Sequence, residues 1–279
     1  MRFTKMHGLG NDFILIYRNT EPPDSESSRL AMQMCDRHTG VGADGLVWVY
    51  PSDHADIAMR IINADGTVAD QCGNAVRCVA KYYYERISAK KEAITIETKR
   101  GIQMVWNRVD QGEVSQVCVD MDEPILNPAQ IPINVTADKV VNQKVQTEGK
   151  TFHFTGVSMG NPHVVIEVED AVSFPVETWG PLLENHELFP RKANVEFITI
   201  HSPGEITMRV WERGVGQTMA CGSGACAVVV AGVLRGKCSR QATVHLKGGD
   251  LHIDWNADDN HVYMTGPATF VFEGKWDES

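Results

Sequence analysis

Cys72 and Cys221 are the residues on which chemistry would rest. Each is followed by a glycine and then by a run that reads as a helix, Gly73-Asn74-Ala75-Val76 after the first and Gly222-Ser223-Gly224-Ala225 after the second. A residue at a helix start is surrounded by unpaired backbone N–H groups and by the positive end of the helix dipole. An anion gains about 0.3–1 kcal/mol there, so a thiol in that place is expected to ionise more readily than an ordinary cysteine. Two such thiols, one ionised and one not, suit one kind of reaction. One takes a proton from a carbon beside a carboxylate and the other returns a proton to the opposite face. The same helix starts would hold the carboxylate and stabilise charge as it develops.

The elements that carry the two cysteines are repeated. Met59 stands thirteen positions before Cys72 and Met208 thirteen before Cys221, and both stretches begin Met-Arg and end Cys-Gly. Upstream, Gly10-Asn11-Asp12-Phe13-Ile14-Leu15-Ile16 is echoed by Gly160-Asn161-Pro162-His163-Val164-Val165-Ile166. Self-similarity at a fixed offset marks a duplicated structural unit. If the copies pair about a pseudo-twofold axis, the two cysteines face one another.

The chain has 279 residues, enough for two substantial cores, so two domains are expected, with the boundary near residue 120. A hydrophobic content of 43% without a run of eighteen apolar residues argues against a membrane span. No basic or apolar leader signals export, and seven cysteines without small-domain disulfide spacing read as reduced thiols, so a cytoplasmic protein is expected. A formal net charge of −10 disfavours nucleic acid as a partner. Zinc on Cys72, Cys78, Cys221 and Cys226 is disfavoured because the helical spacing turns each pair apart, so no metal site is expected. A lone cysteine before an apolar helix is ordinarily a small buried hydrophobe. The matched pair is what argues for function.

Residues 3–17 read as two strands broken at His7-Gly8-Leu9-Gly10-Asn11, followed by a helix capped by Ser25 or Ser27 and running to about Arg37. Leu46–Tyr50 and Ile57–Asn63 are strands, and the helix after Cys72 carries an apolar stripe at Val76, Val79, Ala80, Tyr83 and Ile87. Strands follow at Ala93–Thr98, Ile102–Val109 and Val114–Met121, and the proline-rich Glu123–Pro132 reads as a linker. The second half repeats the order: strands over 144–167, a helix over Val176–His186, a strand entered at Ala193-Asn194-Val195-Glu196-Phe197, the cysteine strand and its buried helix. Ala242–Leu246, Leu251–Trp255, Val262–Thr265 and Thr269–Phe272 complete it, with a hairpin turn at Lys247-Gly248-Gly249-Asp250. The fold class is α+β: two strand-rich units, each curved around one central helix.

Five stretches occur together in order: His7-Gly8-Leu9-Gly10-Asn11-Asp12-Phe13, Asn63-Ala64-Asp65-Gly66, Cys72-Gly73-Asn74, Gly160-Asn161-Pro162-His163, and Glu212-Arg213-Gly214 with Ala220-Cys221-Gly222-Ser223-Gly224-Ala225-Cys226. In these the chain resembles the diaminopimelate epimerase family. The resemblance implies a cofactor-independent, two-base interconversion of LL- and meso-2,6-diaminopimelate in lysine and peptidoglycan precursor synthesis. It implies the diaminopimelate epimerase-like fold, with two pseudo-symmetric domains, 1–120 with a C-terminal strand 266–279, and 121–265, the active site in the cleft between them. A homodimer is a further implication.

Carried over by motif, Cys72 and Cys221 would be the catalytic acid/base pair. Gly73, Asn74, Gly222 and Ser223 would hold the reacting carboxylate. Asn11, Asn63, Asn161, Asn194 and Arg213 would fix the substrate, with the planar fork of Arg213 on its distal carboxylate. His163 and Glu212 would tune the site, Glu212 also meeting an ammonium. Ala75 and Gln217 depart from the family's usual glycine and glutamate, and Gly45 stands where some members carry glutamine, so no side-chain role is assigned to it. None of the departures removes a reacting group. A proline or hydroxyproline racemase on the same scaffold is the nearest rival. A thiol redox sensor or a binding module built on the same two cysteines is the non-enzymatic one.

Overall fold

The first turn of the chain is set by two residues. Leu9 and Gly10 both take positive φ, 57° and 84°, and join the strands Arg2–Gly8 and Asn11–Tyr17 into a tight antiparallel hairpin in which Gly8 faces Asn11. These features come from a computed structural model, which describes residues 1–69, 72–87 and 90–277. The chain divides into two compact units, Met1–Asp120 with Thr265–Ser279, and Met121–Met264.

In the first unit, Asn11–Tyr17 runs parallel to Gly45–Tyr50, with Phe13 opposite Gly45, and the helix α1, Asp24–Cys35, makes the crossover. Gly45–Tyr50 turns back antiparallel on Ile57–Asn63, with Gly45 opposite Asn63. A second crossover through α2, Gly73–Tyr82, leads to Ala93–Thr98, parallel to Ile57–Asn63. Gly101–Asp110 and Glu113–Asp120 then follow antiparallel. The C-terminal strand Thr269–Lys275 pairs antiparallel with Arg2–Gly8.

The second unit repeats this succession of pairing senses. Lys150–Ser158 is antiparallel to Pro162–Glu167, which runs parallel to Asn194–Ser202 after α3, Val176–Glu184, with His163 opposite Asn194. Asn194–Ser202 turns back on Glu205–Glu212, and after α4, Gly222–Leu234, the strand Gln241–Leu246 lies parallel to Glu205–Glu212 and antiparallel to Gly249–Trp255. The internal repeat read from the sequence is therefore a repeat of topology, and Gly45 of one unit corresponds in register to Asn194 of the other.

Burial follows from this layering. The residues of α1 that reach the sheet, Leu30, Ala31, Met34 and Cys35, pack on Ile14, Ile16, Leu46, Trp48 and Ile62. Residues of opposite parity on a strand point to its other face. Within α2, Ala75, Val76, Cys78, Val79 and Ala80 are fully buried, as is Ala225–Ala231 in α4. A helix with no polar face must lie inside a core, which is why α4 reads as apolar on every side.

Several expectations are corrected. Neither Ser25 nor Ser27 caps α1: Pro23 is its N-cap, and the Ser27 hydroxyl donates back to the Pro23 carbonyl at 2.9 Å. The helix after Cys72 is α-helical only to Tyr82 and then widens into a π-turn over Tyr83–Ile87. The wider turn moves the buried stripe by one residue, so Tyr84 is buried in place of Tyr83. The stretch Glu123–Pro132 is not a bare linker, since Ile125 bridges to Ser158 and Ile131 enters the core of the second unit. The helix expected to reach His186 ends at Glu184. Asp70 and Gln71, in the repeated stretch before Cys72, and Glu278 and Ser279 of the C-terminal segment lie outside the described residues.

Candidate active site

In the first unit Cys72 is the N-cap of α2, with extended φ −148° and ψ 108°, and its carbonyl accepts the first helical bond, from Val76 N–H, at 3.0 Å. Its thiol donates to Asn11 Oδ1 at 3.5 Å, and the amide of Asn74 donates to the same oxygen at 3.0 Å. The other end of the Asn11 amide donates to Asp44 Oδ2 at 2.7 Å, which sets which way the side chain faces. Asp44 is itself fixed: its N–H meets Asp12 Oδ1 at 3.1 Å, and Arg37 reaches both carboxylates at 2.8 Å. Lys5 pairs with Asp12 at 2.6 Å and also donates to the Gly42 carbonyl. Burial raises the Asp12 pKa, but hydrogen bonds and charge from Arg37 and Lys5 outweigh it and hold the carboxyl at about 2.

Beneath the first turn of α2 lies Arg77, fully buried, donating to the carbonyls of Pro267 at 3.1 Å and Gly73 at 3.5 Å. A Cβ added at Gly8 would come within 2.9 Å of the guanidinium and 3.2 Å of the Asn74 carbonyl, so a larger residue would crowd both. Cys72, Asn11, Asn74 and Gly73 are thus brought together. Asn63 has other partners, at the exposed end of its strand, where its amide donates to Thr67 Oγ1 at 3.0 Å.

In the second unit Cys221 is the N-cap of α4, with φ −119° and ψ 109°, and is only 5% exposed. The Gly224 N–H donates to its sulfur, and Ser223 Oγ lies 3.6 Å away. Ser223 Oγ accepts the Asn161 amide at 3.3 Å. Asn161 Oδ1 lies 3.0 Å from His163 Nε2, and His163 Nδ1 lies 2.6 Å from Glu196 Oε1. Asn194 donates to the Pro162 carbonyl at 3.0 Å and accepts the Arg213 backbone N–H at 2.9 Å. The exposed Arg213 guanidinium donates to the Arg191 carbonyl at 3.3 Å.

The electrostatics of Cys221 overturn the expectation of an easily ionised thiol. Burial pushes its pKa well above the ordinary cysteine value, and the charges of Glu212 and Glu196 push the same way, while Ser223 and the Gly224 N–H pull back. A helix dipole gives a fraction of the effect of full desolvation, so at Cys221 burial outweighs the helix start. Glu212 also has a raised pKa, through burial first, although the Thr218 hydroxyl donates to it. Glu212 and Cys221 thus bear on one another's ionisation.

Four supporting residues escaped the sequence reading: Asp44, Glu184, Glu196 and Thr218. Glu184, at the end of α3, accepts Trp211 Nε1 at 2.8 Å and the Gly214 N–H at 2.9 Å, and so secures the turn that carries Arg213. Only Glu196 left a signal, as a lone carboxylate between Val195 and Phe197 in an otherwise apolar strand.

The fold belongs to a structural class that includes racemases and epimerases. Over 98% of both chains it superposes on a phenazine biosynthesis protein of the PhzF family from Bacillus anthracis, with a TM-score of 0.69 and 17% identity. It also superposes on a hydroxyproline epimerase from Agrobacterium vitis, with a TM-score of 0.67 and 14% identity over 98% of this chain and 90% of that one. Within that class the sequence is specific. The pattern of the diaminopimelate epimerase family matches residues 3–126 and 155–271, and a diaminopimelate epimerase of Pelotomaculum thermopropionicum is 54% identical over 277 residues, 99% of each chain. The chain belongs to the diaminopimelate epimerase family, a family of isomerases. Among the described residues no helix is long and apolar enough to cross a membrane.

Proposed function

We propose that this protein interconverts LL- and meso-2,6-diaminopimelate by a two-base proton transfer, without a cofactor, as a cytoplasmic step in the supply of lysine and of peptidoglycan precursors. The observation that carries the reading is that each of two topologically repeated units ends a strand-and-loop in a cysteine that caps a buried helix, in a chain of this family. Cys72 and Cys221 act as the acid/base pair: one removes the α-proton and the other delivers a proton to the opposite face. The N–H groups of Gly73, Asn74, Gly222 and Ser223 hold the α-carboxylate, which gains charge as the proton leaves.

Burial favours the thiol form of Cys221, which suits it to give a proton. In the reverse direction the roles exchange. Asn11, Asn63, Asn161 and Asn194 bind the polar groups of the substrate, Arg213 takes the distal carboxylate and Glu212 an ammonium, while His163 tunes the Cys221 half. A substrate lacking the far end leaves these groups unpaired and is rejected. A second copy of the chain is the partner we assign, as a homodimer.

Incubation of the reduced protein with LL-2,6-diaminopimelate, followed by chromatographic separation of the stereoisomers, tests the assignment. Approach to a mixture of LL and meso supports it. Turnover of proline or hydroxyproline with none of diaminopimelate would replace it with the racemase reading.

A further inference from the structure

Glu196 and His163 are both completely shielded from solvent, deep behind the Cys221 half of the site. A carboxylate placed in an apolar strand is costly to desolvate and is kept when it is paired. Here one oxygen, Oε1, meets His163 Nδ1 at 2.6 Å, while Oε2 is buried with no hydrogen-bond partner among the described residues. A pairing that satisfies half of a buried carboxylate is a poor device for stability and points to a task for the oxygen that is bound.

The task follows from what lies on the other side of the ring. Asn161 commits its amide N–H to Ser223 at 3.3 Å and so turns its oxygen to His163 Nε2 at 3.0 Å. With an oxygen at each nitrogen, the ring is held from both sides, and Glu196 sets its orientation through Nδ1. Space fixes the arrangement further: a Cβ added at Gly224 would lie 2.9 Å from Glu196 Oε1 and 3.3 Å from Cys221 Sγ, so carboxylate and thiol flank the same glycine.

We propose that Glu196 is a positioning residue: it holds the His163 ring with Nε2 aimed at Asn161, and through Asn161 fixes Ser223 against the Cys221 sulfur. The proposal rests on the reading that Cys221 reacts.

The test joins nuclear magnetic resonance to kinetics. In the ligand-free native protein labelled with ¹⁵N-histidine, the His163 resonances, assigned by their loss in His163→Gln, should include one strongly downfield, exchange-protected N–H from the short contact with Glu196. In Glu196→Gln, which keeps the shape and removes the charge, that N–H should move upfield. Its kcat should fall about 10- to 100-fold, with KM changed by no more than about threefold, in a protein whose melting temperature stays near native. The absence of that N–H from the native spectrum overturns the proposal, as does a Glu196→Gln variant with native kcat. If that variant does not fold, the native spectrum alone decides. Failure of the native protein to turn over diaminopimelate would instead strike the functional reading, and the spectrum would still report on the pair.

Discussion

Arg213 gives its backbone N–H to the side-chain oxygen of Asn194 at 2.9 Å, while the same amide donates to the Pro162 carbonyl at 3.0 Å. One buried side chain thus ties the turn bearing the guanidinium to the strand that begins at Pro162. Asn194→Ala leaves a donor and an acceptor unpaired, at about 1–3 kcal/mol each. The expected result is a lower melting temperature and a raised KM, with kcat less affected. Arg213→Lys keeps the charge and loses the fork, so KM should rise by about tenfold or more in a protein as stable as the native one. Thermal denaturation beside steady-state kinetics separates the two effects.

The charge of Glu212 bears on when the Cys221 thiol ionises. Burial is the largest cause of its raised pKa, and it remains in any variant. The charge of Glu212 is the next, and Glu196, Ser223 and the Gly224 N–H complete the surroundings. Removing a negative charge favours the thiolate, so in Glu212→Gln alkylation of Cys221 should begin at lower pH than in the native protein. Peptide mass spectrometry after brief iodoacetamide treatment across pH 7 to 10 reads this directly. Coincident profiles would show that Glu212 does not control the thiol.

Acid should act on the first unit through Asp12. Its carboxyl is depressed from 3.8 to about 2 in the folded protein, so its contribution is fully present above the unfolded value and is lost as pH falls toward 2. A shift of that size corresponds to about 2 kcal/mol. Asp12→Asn strands the buried Lys5 ammonium and should cost about 3 kcal/mol at neutral pH. The gap between variant and native protein should narrow below pH 4, as urea unfolding at a series of pH values would show.

How much of this was legible in the sequence depends on how local each signal is. The Leu9-Gly10 turn, the Cys-Gly helix starts and the two-residue turn before Gly249 are local, and their residues announce them. The duplication was legible too, because the same short motifs recur at one offset. What escaped was tertiary. The parallel register that sets Asn194 opposite His163 spans thirty residues and has no local mark. Asp44 and Glu184 read as ordinary loop and helix-end carboxylates until the partners on Asn11 and Gly214 are seen. The ionisation of Cys221 was misread for the same reason, since helix position can be read from a sequence and desolvation cannot.

The proposed reaction has one cysteine of each unit moving a proton at the same carbon. It is tested most directly by proton magnetic resonance of LL-2,6-diaminopimelate in D₂O with the reduced protein, and with Cys72→Ser and Cys221→Ser in parallel. The account predicts that the native protein exchanges the α-proton for deuterium as the meso isomer appears, and that each variant, though folded, forms no meso isomer at a comparable rate. Native-like epimerisation by either single variant, or no exchange by the folded native protein, would contradict it.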